Sequence, residues 1–207
     1  IESSHKILTN IMQLITLMLM NNYSYVGAFE VYGDPILNNL FISFLEYLKS
    51  TKYIEILHYQ KSSLTLLNLL QCLCERFISQ VVKLEVNFVD IALNICLNVD
   101  LSSNNMIYKV LNVISLITEF CISNLNTEFG KILISNTHDS YNKILKMFEE
   151  LIYKVNEKLN FRITNLLERV LLLKPDNWPV VKQKLMLFMN YCENEEQRAI
   201  YEQLLSI

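Results

Sequence analysis

Three histidines and five cysteines are the side chains with which this 207-residue chain could most readily do metal or nucleophile chemistry. His5, His58 and His138 stand far apart, and none has a Cys, His, Asp or Glu at metal-ligand spacing. A zinc centre needs several such ligands converging, usually with two of them close in sequence. Isolated or hydrogen-bonded histidines are therefore the expectation. A phosphate-cradling loop needs clustered glycines, and Gly27, Gly33 and Gly130 are the only three in the chain, each alone. No serine or cysteine stands in a local nucleophile signature. Accordingly no catalytic, cofactor-binding or metal-ligating residue is assigned, no cofactor is expected, and the chain reads as a non-enzyme. A helical enzyme would need a deep pocket of converging His, Glu or Cys side chains, and the scattered histidines argue against one.

Cys72, Cys74, Cys96, Cys121 and Cys192 all lie inside apolar runs. Buried, reduced thiols are expected, which favours the cytosol or nucleus. The single sequon, Asn22-Tyr23-Ser24, is taken as chance. Glu149, Glu150 and Glu157 share a helical pattern with Lys143, Lys146, Lys154 and Lys158. The plain reading is a solvated face with an i,i+4 pair from Glu150 to Lys154; the sharper one is a charged groove for a basic partner. Glu193, Glu195 and Glu196 have the same two readings, helix-start electrostatics being the stronger. Trp178, beside Pro179, reads as a hydrophobic staple, with a partner hot spot as the alternative. Asparagine is abundant, 22 in 207, and falls at helix ends and on polar faces.

Behind these side chains stands a composition of 52% hydrophobic and 19% charged residues, with three Gly and three Pro. It excludes a disordered or collagen-like chain. A net charge of −3 and a pI near 5.7 argue against direct nucleic-acid binding. Two long apolar runs raise the question of a membrane. Ile7 to Met20 is too short, and Ile107 to Leu125 is interrupted by Lys109, Asn112 and Glu119. A span needs about 20 mostly apolar residues, so no membrane insertion is expected.

Apolar residues recur at steps of three and four almost throughout, and no strand-period segment competes. The spacing predicts a first helix over Ser4 to Asn21 and a loop over Asn22 to Gly33. Asp34-Pro35 then opens a second helix that runs to Lys49, with Asp capping free N–H groups and Pro suiting the first helical position. A turn or short helix over Tyr53 to Tyr59 leads to a third helix, Lys61 to Gln80. A fourth covers Glu85 to Asn98, and a polar break, Asp100 to Asn105, separates it from a fifth, Asn105 to Asn124. Asn126 to Asn136 holds a short helix and a loop. The sixth, Thr137 to Asn156, shows a clean stripe of Tyr141, Ile144, Leu145, Phe148, Leu151, Ile152 and Val155. A seventh, Asn160 to Leu173, stops at Lys174-Pro175. An eighth, Pro179 to Tyr191, and a ninth, Asn194 to Ser206, complete the chain.

The third and fifth helices carry apolar arcs wider than one packing contact needs. Leu64, Leu67, Leu70, Cys74, Phe77 and Ile78 are flanked by Leu66, Leu69, Leu73 and Val81. Ile107, Val110, Leu111, Ile114, Ile117 and Cys121 are flanked by Val113, Leu116 and Phe120. A stripe of roughly 100° serves a helix with one neighbour, and a wider arc implies several. The two helices are about 43 residues apart, close to the two-helix HEAT-type unit. The expected fold is all-α: an α-solenoid of antiparallel HEAT-like helix pairs, about nine or ten helices in all, with an irregular bundle as the rival. The chain opens on Ile1 inside an apolar helical pattern, so a segment of a longer stack is expected, and an exposed apolar end should make it self-associate.

The stretch Asn22 to Leu40, NYSYVGAFEVYGDPILNNL, resembles a segment near the C-terminal end of the exportin 7 family, Ran-binding exportins of the importin-β superfamily. Tyr25, Gly27, Phe29, Val31, Tyr32, Gly33, Asp34, Leu37 and Asn39 carry the likeness. Leu57-His58-Tyr59-Gln60-Lys61 is similar to that family's lead into its next helix. Arg169 to Leu173 and Asn194 to Arg198 are similar to its last repeats. Pro35 departs from the acidic residue expected there but preserves the helix start, and Asn124 to Asn136 is shorter than the family's segment. The resemblance implies that residues 1–207 are a single C-terminal HEAT-repeat segment of a superhelical nuclear transport receptor. Such a receptor binds protein cargo together with Ran-GTP, contacts nuclear pore proteins and shuttles between nucleus and cytoplasm. The principal Ran site lies in N-terminal repeats not included in these residues, so no Ran-contact residue is carried over. The alternative is a Ran-independent helical-repeat scaffold for protein assembly.

Overall fold

The computed structural model describes residues 2–20, 32, 34–50, 53–152 and 157–173, with isolated positions beyond 178. Among the described residues there are ten helices and no strand: α1 (Glu2–Met20), α2 (Ile36–Lys49), α3 (Tyr53–Leu57), α4 (Gln60–Arg76), α5 (Ile78–Leu84), α6 (Phe88–Asn98), α7 (Asn104–Ser123), α8 (Glu128–Asn136), α9 (His138–Ile152) and α10 (Glu157–Leu173). The all-α class is thus as the periodicity implies. The eighth and ninth expected helices, and the loop before Tyr32, fall largely outside the described residues. The chain divides into two compact units, Ile1–Ile117 and Thr118–Ile207, with the boundary inside α7.

In the first unit α1 lies along α4, and α2 and α3 pack on α6. Two polar contacts fix the direction of the first pair. Thr9 and Ser62 hydroxyls meet at 2.8 Å near the N-terminal halves, and the Arg76 guanidinium donates to the Leu19 carbonyl at 3.2 Å near the C-terminal ends. The two helices therefore run parallel, and Arg76 places its cation at the C-terminal end of α1, where the helix dipole favours one. Met12 and Leu19 enter the core from α1, and α4 buries Leu66, Leu67, Leu69, Leu70, Cys72, Leu73 and Cys74. Burial on so many sides is what the wide arc implies.

The start of α2 follows its expected chemistry. The Asp34 carboxylate accepts the Ile36 N–H at 2.9 Å, and Pro35, at φ −75°, has its carbonyl bonded by the Asn39 N–H at 2.8 Å. The helix expected from Lys61 to Gln80 is instead two. Phe77, at φ −127° and ψ 8°, ends α4 and opens α5. Its N–H still bonds the Leu73 carbonyl at 2.9 Å, and its own carbonyl accepts from Gln80 and Val81. The Phe77 ring lies 5.4 Å from that of Phe41 on α2. The next helix starts at Phe88 rather than Glu85. Glu85 is extended at the end of α5 and forms an ion pair with Lys49. That contact and the Asn87 N–H hold the Glu85 carboxyl below its ordinary range.

In the second unit α9 packs along α10, with α8 against α9. Tyr141, Ile144, Phe148, Ile163 and Val170 are fully buried, with Leu145 and Leu151 beside them. The expected α9 stripe is therefore the core stripe as far as Leu151; the Ile152 side chain and Val155 lie outside the described residues. The Thr127 hydroxyl caps α8 by accepting the Gly130 N–H at 2.9 Å.

The helix α7 corrects one expectation. Its 20 residues, Asn104–Ser123, include a window of mean hydropathy 1.5, so this helix is long and apolar enough to cross a membrane. Lys109, Asn112 and Glu119 do not lower the hydropathy enough to prevent that. Half of the window is nevertheless buried inside the protein, with Val110, Val113, Ile114, Ile117 and Cys121 fully covered. Those apolar residues are used in packing, as for the core helix of a globular unit.

Candidate interaction surface

The side chains with reactive or ligating chemistry are dispersed. His5 packs its ring 5.0 Å from that of Tyr59, at 36°. His58 is exposed, and the side chain of His138 lies outside the described residues. Among the described residues no three His, Cys, Asp or Glu side chains gather as metal ligands. Lys143, Lys146 and Glu150 belong to α9, and Lys146 and Glu150 are exposed there. Lys154, the expected partner of Glu150, lies outside the described residues, as do Trp178, Glu193, Glu196 and Cys192.

The other four cysteines are free and buried. Burial pushes the Cys96 thiol up to about 12 and the Cys121 thiol up to about 11. Tyr141 is also raised, by burial first and by its closeness to Cys121 second; its hydroxyl and that of Thr118 are buried without a hydrogen-bond partner in good geometry. These groups are in the form a core requires, neutral and unreactive. The thiols make stability depend on pH. Above pH 9.0, the ordinary thiol value, an unfolded thiol releases its proton while the folded one keeps it. Stability is therefore whole below that pH and falls as pH rises towards the folded values, by about 1.4 kcal/mol per pH unit for each thiol. Urea unfolding at about pH 8, 9 and 10 measures the slope, and a Cys96→Ala variant should make it shallower.

Two surfaces of the first unit stand out. The first is the side of α1 opposite its core residues, where Ile7, Ile11 and Leu14 are each about half or more exposed at the i, i+4, i+7 spacing of one stripe. From Ile7 to Met20 there is no charged residue to interrupt it. Contiguous exposed apolar surface of this kind marks interaction sites. It locates the self-association expected from the sequence: light scattering should give a mass that rises with concentration, and Ile11→Asp with Leu14→Asp should hold the chain monomeric. A monomeric mass for the unaltered chain at high concentration would contradict this.

The second surface is a groove of about 460 Å³, within the size range of ligand pockets. Gln13, Thr16, Leu17 and Met20 of α1 line it together with residues of α4 from Lys61 to Glu75 and Lys109 of α7. The Lys109 ammonium approaches the Gln71 carbonyl oxygen at 3.4 Å. Sequence reasoning misses this groove. The signal that could have found it is the polar side of α4, where Lys61, Asn68, Gln71 and Glu75 recur at helical spacing opposite a long buried arc.

The class these features define is an all-α protein with an exposed apolar face on α1 and a groove beside α4. No family model matches the chain, and no curated protein or solved structure matches it either.

Proposed function

We propose that this chain is the C-terminal part of a nuclear transport receptor of the exportin kind, which binds protein cargo together with Ran-GTP and shuttles between nucleus and cytoplasm past nuclear pore proteins. The observation that supports the repeat architecture in this reading is the parallel pairing of α1 with α4, which α2 and α3 separate in the sequence. Equivalent helices of neighbouring units run parallel where helix pairs stack, as in HEAT-type repeats. The resemblance over Asn22 to Leu40 supplies the transport class. Asp34 within that block caps α2, which gives this residue a structural role. The mechanism is conformational: small shifts between stacked pairs add into a change of pitch, and Ran-GTP selects one pitch by binding it more tightly.

The deciding experiment is a pull-down of the full-length protein with Ran held in the GTP form and, separately, with Ran-GDP. Capture by the GTP form alone is the expected result. Equal capture, or none, overturns the receptor reading and leaves the second one, a Ran-independent scaffold for protein assembly. The uncharged stripe on α1 favours that second reading, because it can bury apolar surface against a partner with no nucleotide involved.

A further inference from the structure

The groove between α1, α4 and α7 has a chemistry that neither the receptor nor the scaffold reading uses, and its occupant is independent of the outcome with Ran. Along α4, Lys61, Asn68, Gln71 and Glu75 lie in one row facing the cavity. About fourteen residues at a rise of about 1.5 Å make the row about 21 Å long. An extended peptide advances roughly 3.3 Å per residue, so about six residues would span it. A carboxamide side chain carries both a donor and an acceptor, the same pair that a peptide unit presents. Gln71 has its oxygen turned to the Lys109 ammonium, which leaves its NH₂ to donate. The Asn68 side chain has no partner among the described residues. Two ammonium groups and a single carboxylate, Glu75, border the cavity, although the chain as a whole carries −3. This local reversal of sign selects an acidic occupant. The apolar side chains of Leu17, Met20 and Leu64 in the lining favour one that also has aliphatic side chains.

We propose that this groove binds an extended acidic peptide, with Asn68 and Gln71 holding its backbone, Lys61 and Lys109 pairing with its carboxylates, and Leu17 and Met20 receiving its apolar side chains. Charge-assisted contacts of this type give specificity as well as affinity.

The test is fluorescence anisotropy of the full chain with a labelled octapeptide of alternating Glu and Leu, against its counterpart of alternating Lys and Leu. Saturable binding of the acidic peptide, about tenfold tighter than the basic one at physiological salt, is expected. K61E combined with K109E should reverse the preference. N68A should weaken both peptides about threefold and leave the preference intact. Ile7→Asp should leave the preference intact, because Ile7 lies nearly two turns from Gln13, the first groove residue of α1. Circular-dichroism melts establish that each variant is folded; K61E alone, at an exposed position, should still narrow the preference if the double variant is not. Equal affinity for the two peptides, or an unaltered preference in folded K61E, overturns the proposal.

Discussion

Phe41→Ala is expected to destabilise the first unit by about 3–5 kcal/mol, the cost of truncating a large buried aromatic to a methyl group. Phe41 is 2% exposed, and its ring stands 5.4 Å from that of Phe77, tilted by 57°. An aromatic pair in this range adds about 0.5–1.5 kcal/mol beyond the area it buries. The loss is sharpened by where Phe77 sits. It is the residue at which α4 ends and α5 begins, so removing its partner loosens the joint as well as emptying a site. Urea unfolding followed by circular dichroism measures the effect. A loss under about 1 kcal/mol would mean that the site collapses without cost and that the Phe41–Phe77 contact does not hold the joint. Phe41→Leu keeps most of the apolar volume and should cost visibly less.

Gly130→Ala should cost the second unit about 2–3 kcal/mol, against the direction that helix propensity alone would give. Alanine is the better helix former by roughly 1 kcal/mol, so the sign of the change is decisive. A methyl group at Gly130 would stand 1.9 Å from the backbone oxygen of Asn124 and 2.5 Å from its carbonyl carbon. That oxygen is not free to retreat. It accepts the Thr127 N–H at 2.9 Å and the Thr127 hydroxyl at 2.7 Å, and the same hydroxyl caps α8 through the Gly130 N–H. Relieving the clash therefore breaks the cap, worth about 1 kcal/mol. Chemical denaturation of G130A gives the sign directly. Stabilisation would show that the turn from Asn124 to Thr127 yields easily.

At Phe77, Glu85 and Gly130 local sequence and packing disagree; at the start of α2 and along α7 and α9 they agree, and the contrast has a physical cause. The opening of α2 is legible in the sequence because Asp34 and Pro35 act on the backbone within two residues of themselves. The buried faces of α7 and α9 are legible because a helix repeats every 3.6 residues, so Ile107, Val110, Ile114 and Ile117, or Tyr141, Ile144 and Phe148, can share only one side. The break at Phe77 is not. Nothing between Arg76 and Ile78 disfavours a helix, and the ring finds its place against a residue 36 positions earlier. Glu85 leaves the start of α6 for a comparable reason, its pairing with Lys49 across the unit. Gly130 looks like a loop residue. Only the position of the Asn124 carbonyl shows that what it needs is room for a neighbour.

The candidate site divides along the same line. The wide spacing of the three histidines along the chain is legible in the sequence. The groove is not, because its walls come from α1, α4 and α7, and nothing local says that Lys109 meets Gln71. By itself, then, the sequence determined the all-α class, most helix positions and the faces they bury, all consequences of short-range periodicity and end-capping. Tertiary structure alone decided the parallel pairing of α1 with α4, the joint at Phe77 and the groove, because each depends on contacts between residues far apart in the chain, whose free energy no local pattern encodes.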